Sequence, residues 1–127
     1  MKIYRILLAT IIIAGMLVTK TYAQKNWAQD ADNAFKFYQY YDAVSLYKKA
    51  YSKLKKNKAE KARIIYQIAE CYRLTNDTKQ AETWYKKAIA AKYPEPLATL
   101  YYADMLKVNE KYDLGICLLY TSDAADE

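Results

Sequence analysis

The 127-residue chain has room for one small domain, and its 54% apolar and 15% aromatic residues exclude a disordered polypeptide. Only two glycines and two prolines punctuate it, which leaves helices joined by short turns as the expected all-α architecture. It contains no histidine, so the commonest general base and metal ligand is missing, and its formal charge of +6 is spread thinly along the chain.

The chain opens MKIYRILLATIIIAGMLVTKTYAQ, with a positive start at Lys2 and Arg5 and a 13-residue apolar run from Ile6 to Val18. A membrane-crossing helix needs about 20 apolar residues, so this run is too short to span. Thr21-Tyr22-Ala23 supplies a small-residue cleavage site, and residues 1–23 are expected to be a cleaved secretory signal with Gln24 as the new N-terminus. No cysteine follows the run at once, which argues against a lipid-modified terminus. The protein is therefore expected to be exported, periplasmic or associated with the outer membrane. Without residues 1–23 the chain keeps 17 basic against 14 acidic residues, and no base-reading motif accompanies them, so nucleic acid is not an expected partner.

From residue 24 onward an internal repeat organises the sequence. AVSLYKKA (43–50) returns as AETWYKKA (81–88), which places Ala43, Tyr47 and Ala50 against Ala81, Tyr85 and Ala88 at an interval of 38 residues. Ala31 and Ala69 keep the same interval, and Ala103 and Gly115 continue the two small-residue series after a further 34. Small residues recurring in phase let helices approach closely, and an aromatic one turn later fills the space beside the contact. A lone helical hairpin cannot bury its apolar face, so successive hairpins must stack.

Turn signals fall at matching phases. Asn76-Asp77 separates the two helices of the second unit, with Asp77 as N-cap, and Asn109-Glu110-Lys111 does so in the third. Lys55-Lys56-Asn57-Lys58 is expected to supply the four extra residues of the 38-residue interval, and Pro94 and Pro96 bracket the last turn between repeats. Cys71 sits in the apolar stretch IIYQIAECYRL and is expected to be a buried thiol, since one pair with Cys117 makes no disulfide framework. From Cys117 onward no basic residue occurs. Leu119 and Ser122 stand where the repeat wants an aromatic and a small residue, and CLLYTSDAADE resembles translated adapter sequence, so the tail 117–127 is of doubtful origin, read first as foreign sequence with a native acidic helix end as the alternative.

The catalytic parts list is short. Gly15 and Gly115 cannot build a phosphate loop, Ser45, Ser52 and Ser122 have no triad partners, and Cys71 has no histidine base. No carboxylate pair has acid–base spacing. The chain is expected not to be an enzyme, and to have no cofactor, no metal and no small-molecule substrate.

The phased alanines and aromatics resemble the tetratricopeptide repeat, a 34-residue helix–turn–helix unit with small residues at these positions. The middle unit (62–95) fits through Ile65, Ile68, Ala69, Tyr72, Ala81, Tyr85, Ala88 and Pro94. The first (24–57) keeps Trp27, Ala31, Tyr40, Ala43, Tyr47 and Ala50 but departs at Asp30 and Ala34, as a capping repeat would. The third (96–116, partial) keeps Tyr102, Ala103, Leu106 and Tyr112. The resemblance implies a right-handed α-solenoid of about three hairpins, the last incomplete, whose first helices line a groove for a protein or peptide. Carried over by position, the groove residues are Asp32, Phe35, Lys36, Arg63, Tyr66, Glu70, Arg73, Leu100, Asp104 and Lys107, with Arg63, Tyr66 and Arg73 as anchors. The lysine–asparagine clamp of chaperone-binding relatives is missing, because Ala28 and Asp32 occupy its places. An exported segment of this kind resembles the N-terminal region of Bacteroidetes OmpA-like, peptidoglycan-associated envelope proteins, which implies either a non-catalytic interaction module or a structural spacer within a larger protein.

Overall fold

A computed structural model describes residues 26–125, with side chains through Thr121. The expected leader and its cleavage site lie outside the described residues. Six helices follow one another: α1 (Trp27–Lys36), α2 (Tyr40–Lys53), α3 (Lys58–Leu74), α4 (Thr78–Ala90), α5 (Pro96–Val108) and α6 (Tyr112–Ala125). No strand occurs among the described residues, so the all-α expectation holds. Connections of three to five residues force successive helices to run antiparallel, and the main helix–helix contacts join each helix to the next in the chain.

Local chemistry sets the boundaries. Asn26, Asn57 and Asp77 each accept a backbone N–H three residues on, at 3.3, 3.0 and 3.2 Å, so α1, α3 and α4 start on side-chain caps. Pro96 opens α5 behind Glu95, whose carboxylate takes the Leu97 N–H at 3.2 Å. Four helices end with a residue in the left-handed region: Tyr38 (φ 62°), Asn76 (60°), Lys92 (54°) and Glu110 (65°). Each is followed by a six-to-one backbone bond, for example Asp77 N to Tyr72 O at 2.9 Å and Lys111 N to Leu106 O at 2.8 Å. Glycine is the usual residue there, and none of the four positions has one.

The small residues mark the tightest contacts. Ala31, Ala43, Ala69, Ala81 and Ala88 are fully buried, and Ala103 nearly so. A methyl on Gly115 would meet the Ala103 carbonyl at 3.2 Å, so the third unit repeats the close approach with an even smaller residue. Tyr47 and Tyr85 are the largest fully buried side chains, beside Ile64, Ile68, Leu106 and Cys71. Cys71 is a free thiol whose titration burial pushes up to about 12, and Cys117 is free and exposed, so no disulfide joins them.

Two sequence expectations need adjusting. The extra four residues of the first interval are not loop: eleven residues precede Ala69 within α3 but only seven precede Ala103 within α5. The insertion is one added helical turn, Lys58–Lys61, and a full turn of about 3.6 residues leaves the buried face in phase. The helical rhythm also continues past residue 116, since α6 runs to Ala125, although Leu114, Ile116, Leu119 and Tyr120 on it are exposed.

Candidate functional site

Two versions of one polar device tie α3 to its neighbours. In the first, the buried phenol of Tyr47 on α2 donates to Asp32 Oδ1 at 2.6 Å. Arg63 on α3 grips the same carboxylate with Nη1 at 2.9 Å and Nη2 at 3.2 Å, and holds Glu60 through Nε at 3.0 Å and Nη2 at 2.7 Å. In the second, Tyr85 on α4 donates a hydrogen bond to Glu70 on α3. Arg73, one turn along α3, bonds Glu70 Oε2 at 2.7 Å and the Tyr85 hydroxyl at 3.0 Å. Its guanidinium also lies 4.3 Å from the Tyr101 ring of α5.

The carboxylates and phenols are repeat-equivalent: Asp32 and Glu70 are 38 residues apart, as are Tyr47 and Tyr85. The arginines are not. The first carboxylate is tied to the next unit's first helix, the second to its own helix.

Electrostatics keep both devices locked. Burial, then the hydrogen bond to Asp32, raises the Tyr47 phenol far above its ordinary range; burial, then Glu70, does the same for Tyr85. Both remain protonated donors through neutral and mildly alkaline pH. The hydrogen bonds to Glu60 and Asp32 raise Arg63, and the bond to Glu70 raises Arg73, so both stay cationic. Asp32 is 44% exposed at its side chain but Glu70 only 11%, so the second device works in a drier setting.

The ten sequence-derived positions therefore divide. Asp32 and Arg63 come together, as do Glu70 and Arg73, and all four charges are spent on internal bonds. Tyr66 is 9% exposed, stacked on Tyr93 at 5.0 Å between centroids and edge-on to Tyr85 at 6.0 Å. Removing its ring would open a core cavity costing about 3–5 kcal/mol. Phe35 packs edge-on against Tyr40 at 5.4 Å, while Lys36, Leu100, Asp104 and Lys107 are exposed. Asp104 takes the third carboxylate slot, 34 residues after Glu70, but the matching phenol position holds Leu119 and Asp104 forms no hydrogen bond or ion pair among the described residues.

Sequence reasoning missed Glu60, Tyr93 and Tyr101 as partners, and read Tyr47 and Tyr85 as space-fillers without their hydroxyl role. The common 15-residue step from Asp32 to Tyr47 and from Glu70 to Tyr85 was the available signal. Among the described residues, no group of three or more His, Cys, Asp or Glu is gathered to hold a metal ion, and no helix is long and apolar enough to cross a membrane. Comparison with known proteins adds no neighbour: no family model, no curated protein and no solved structure matches the chain.

Proposed function

We propose that this chain is a right-handed, tetratricopeptide-type solenoid serving as a non-catalytic protein-interaction module of an exported cell-envelope protein. The observation that supports it best is the repetition of one packing unit: small residues at the helix contacts and a phenol-to-carboxylate tie recurring in the same register. On this reading the first helices form one face, on which Lys36, Asp104 and Lys107 make no ion pair among the described residues and Leu100 is exposed. An extended protein segment is the ligand such a face suits, with Leu100 as apolar contact and Lys36 and Lys107 as charge contacts.

A second reading, a structural spacer, draws on a specific observation too: the arginines a ligand would use are already paired, and the aromatic anchor is buried. A photo-crosslinking residue placed at Leu100 or Lys107, and at Thr83 on α4 as control, separates the two. The interaction module gives a discrete protein adduct from the α5 positions and none from position 83. Equal or absent adducts at all three refute it and leave the spacer.

A further inference from the structure

The turn added to α3 does nothing for the core, since a whole turn leaves the buried face in phase. It does carry the start of α3 roughly 5 Å beyond the level at which α5 begins, counted from the equivalent alanines Ala69 and Ala103. This overhang makes one wall of an open notch of about 470 Å³, and the α4–α5 turn, from Ala91 to Pro94, makes the other. Ala62 and Arg63 complete the lining.

Both walls are fixed by their own bonds. The Asn57 side chain caps the overhang through the Glu60 N–H at 3.0 Å, and Arg63 holds the Glu60 carboxylate at 2.7 Å. On the other wall Lys92 has a left-handed backbone (φ 54°), closed by the Tyr93 N–H on the Ala88 carbonyl at 3.1 Å, and the Tyr93 ring is stacked on Tyr66. The charges divide into spent and unspent. Arg63 is outnumbered by Asp32 and Glu60, and Glu95, beside the notch, caps α5 through the Leu97 N–H. Lys58 on the overhang and Lys92 on the turn are exposed and make no ion pair among the described residues. Lys55 and Lys56, just before the overhang, are in the same state.

We infer that this notch is a docking site for an acidic segment of a partner protein, with carboxylates drawn to Lys58 and Lys92 from the two walls. The charge is complementary, because every cation left unpaired there is a lysine and the acids nearby are already bonded. The edges suit an extended backbone: Ala59, Ala91 and Pro94 are exposed and small, so a chain can lie close over them. Other anions fit less well. A lone phosphate prefers an arginine fork, and the one arginine in the lining is committed to Asp32 and Glu60. Nucleic acid prefers open rings, and the single ring in the lining, Tyr93, is stacked on Tyr66. Because the walls are held without a ligand, little ordering is needed on binding. The inference holds whether or not the first-helix face binds a protein.

The test titrates the full chain into a dye-labelled peptide of alternating glutamate and alanine and follows fluorescence anisotropy, with the glutamine–alanine peptide as control. K58E/K92E turns two attractions into repulsions and should weaken binding by about tenfold or more. Both substitutions suit the fold, since glutamate at the first position of α3 complements the helix dipole and Glu110 already occupies the left-handed place equivalent to Lys92. K36E/K107E makes the same change in net charge on the first-helix face and should leave the affinity within about twofold. Amide shifts of the unaltered chain, a readout that needs no variant, should cluster at residues 57–63 and 91–94. A Kd weaker than about 1 mM for the glutamate peptide, or equal affinity for its glutamine counterpart, overturns the inference. So does an equal loss in K36E/K107E, or duplex DNA bound with the same dependence on Lys58 and Lys92.

Discussion

Replacing Tyr85 and Tyr47 by phenylalanine, one at a time, puts the same chemical change into two equivalent repeat slots. The ring and its packing are kept, and only the donated hydrogen bond is lost. Without the Tyr85 hydroxyl, Glu70 keeps Arg73 alone, in a place where its side chain is only 11% exposed, and Arg73 Nε loses its 3.0 Å acceptor. A hydrogen bond to a charged group contributes about 1.5–3 kcal/mol, and a dry carboxylate cannot recruit water in its place, so Y85F should cost about 2–3 kcal/mol. Asp32, in contrast, is 44% exposed and keeps two bonds from Arg63, so Y47F should cost about 0.5–1.5 kcal/mol. Urea unfolding followed by far-ultraviolet circular dichroism measures both, provided the m-value is unchanged. In a domain of this size, each kcal/mol is worth about 4–8 °C in Tm, so the two variants should differ by several degrees. If Y47F costs as much as Y85F, or if neither moves the midpoint, the ties are not holding these carboxylates and the account of the site is wrong.

Leucine at Ala69 must enter a fully closed helix contact and should cost about 1–3 kcal/mol by overpacking, while leucine at the exposed Ala90 should stay within about 0.5 kcal/mol by the same urea assay. Glu110→Gly relieves a left-handed backbone (φ 65°) and should raise Tm by a few degrees, the gain being trimmed by glycine's greater freedom when unfolded; a fall in Tm refutes the strain. Tyr47, Tyr66, Tyr85 and Cys71 all have folded pKa values raised, chiefly by burial, so their stabilisation is complete below the unfolded values and is lost as pH rises toward the folded ones. Stability should therefore fall from about pH 9, where the unfolded thiol begins to ionise, by up to about 1.4 kcal/mol per pH unit for each titrating group, and a flat urea midpoint between about pH 8.5 and 10.5 would contradict it. Leu119→Tyr offers Asp104 the phenol that the other two units have, and should raise Tm while bringing α6 into register; no gain means that α6 is not seated as α2 and α4 are.

The packing was legible because it rests on residues that tolerate little substitution. A buried helix contact closed by Ala31, Ala69 or Ala103 admits only a small side chain, so the pattern survives in letters and can be counted. The turns were legible where a capping side chain makes them, as at Asp77, and illegible where backbone geometry alone does. Nothing about Tyr38, Lys92 or Glu110 announces a left-handed residue, since any of them reads as helical surface. The same limit explains the misplaced insertion. Lys55 to Lys58 looks like loop by composition, yet Asn57 caps a helix that starts at Lys58, and four added residues close one turn without rotating the buried face.

The site was legible by position but not by state. Repeat phase alone names Asp32, Glu70 and Asp104 as equivalents on the first helices, yet each meets a different fate: one is shared between a phenol and the next unit's arginine, one is enclosed by a phenol and its own helix's arginine, and one is bare. The difference lies in residues outside the repeat pattern, Arg63, Arg73 and Leu119, which phase does not constrain. A charge on a repeat's first helix is therefore ambiguous between ligand contact and internal strut until its 15-residue partner is known. Where that partner is tyrosine the carboxylate is a strut, and where it is leucine the carboxylate is left for something else to meet. For the proposed interaction face, that logic moves the weight away from Arg63 and Arg73 and toward α5, where Leu100, Asp104 and Lys107 occupy successive turns of one exposed stripe.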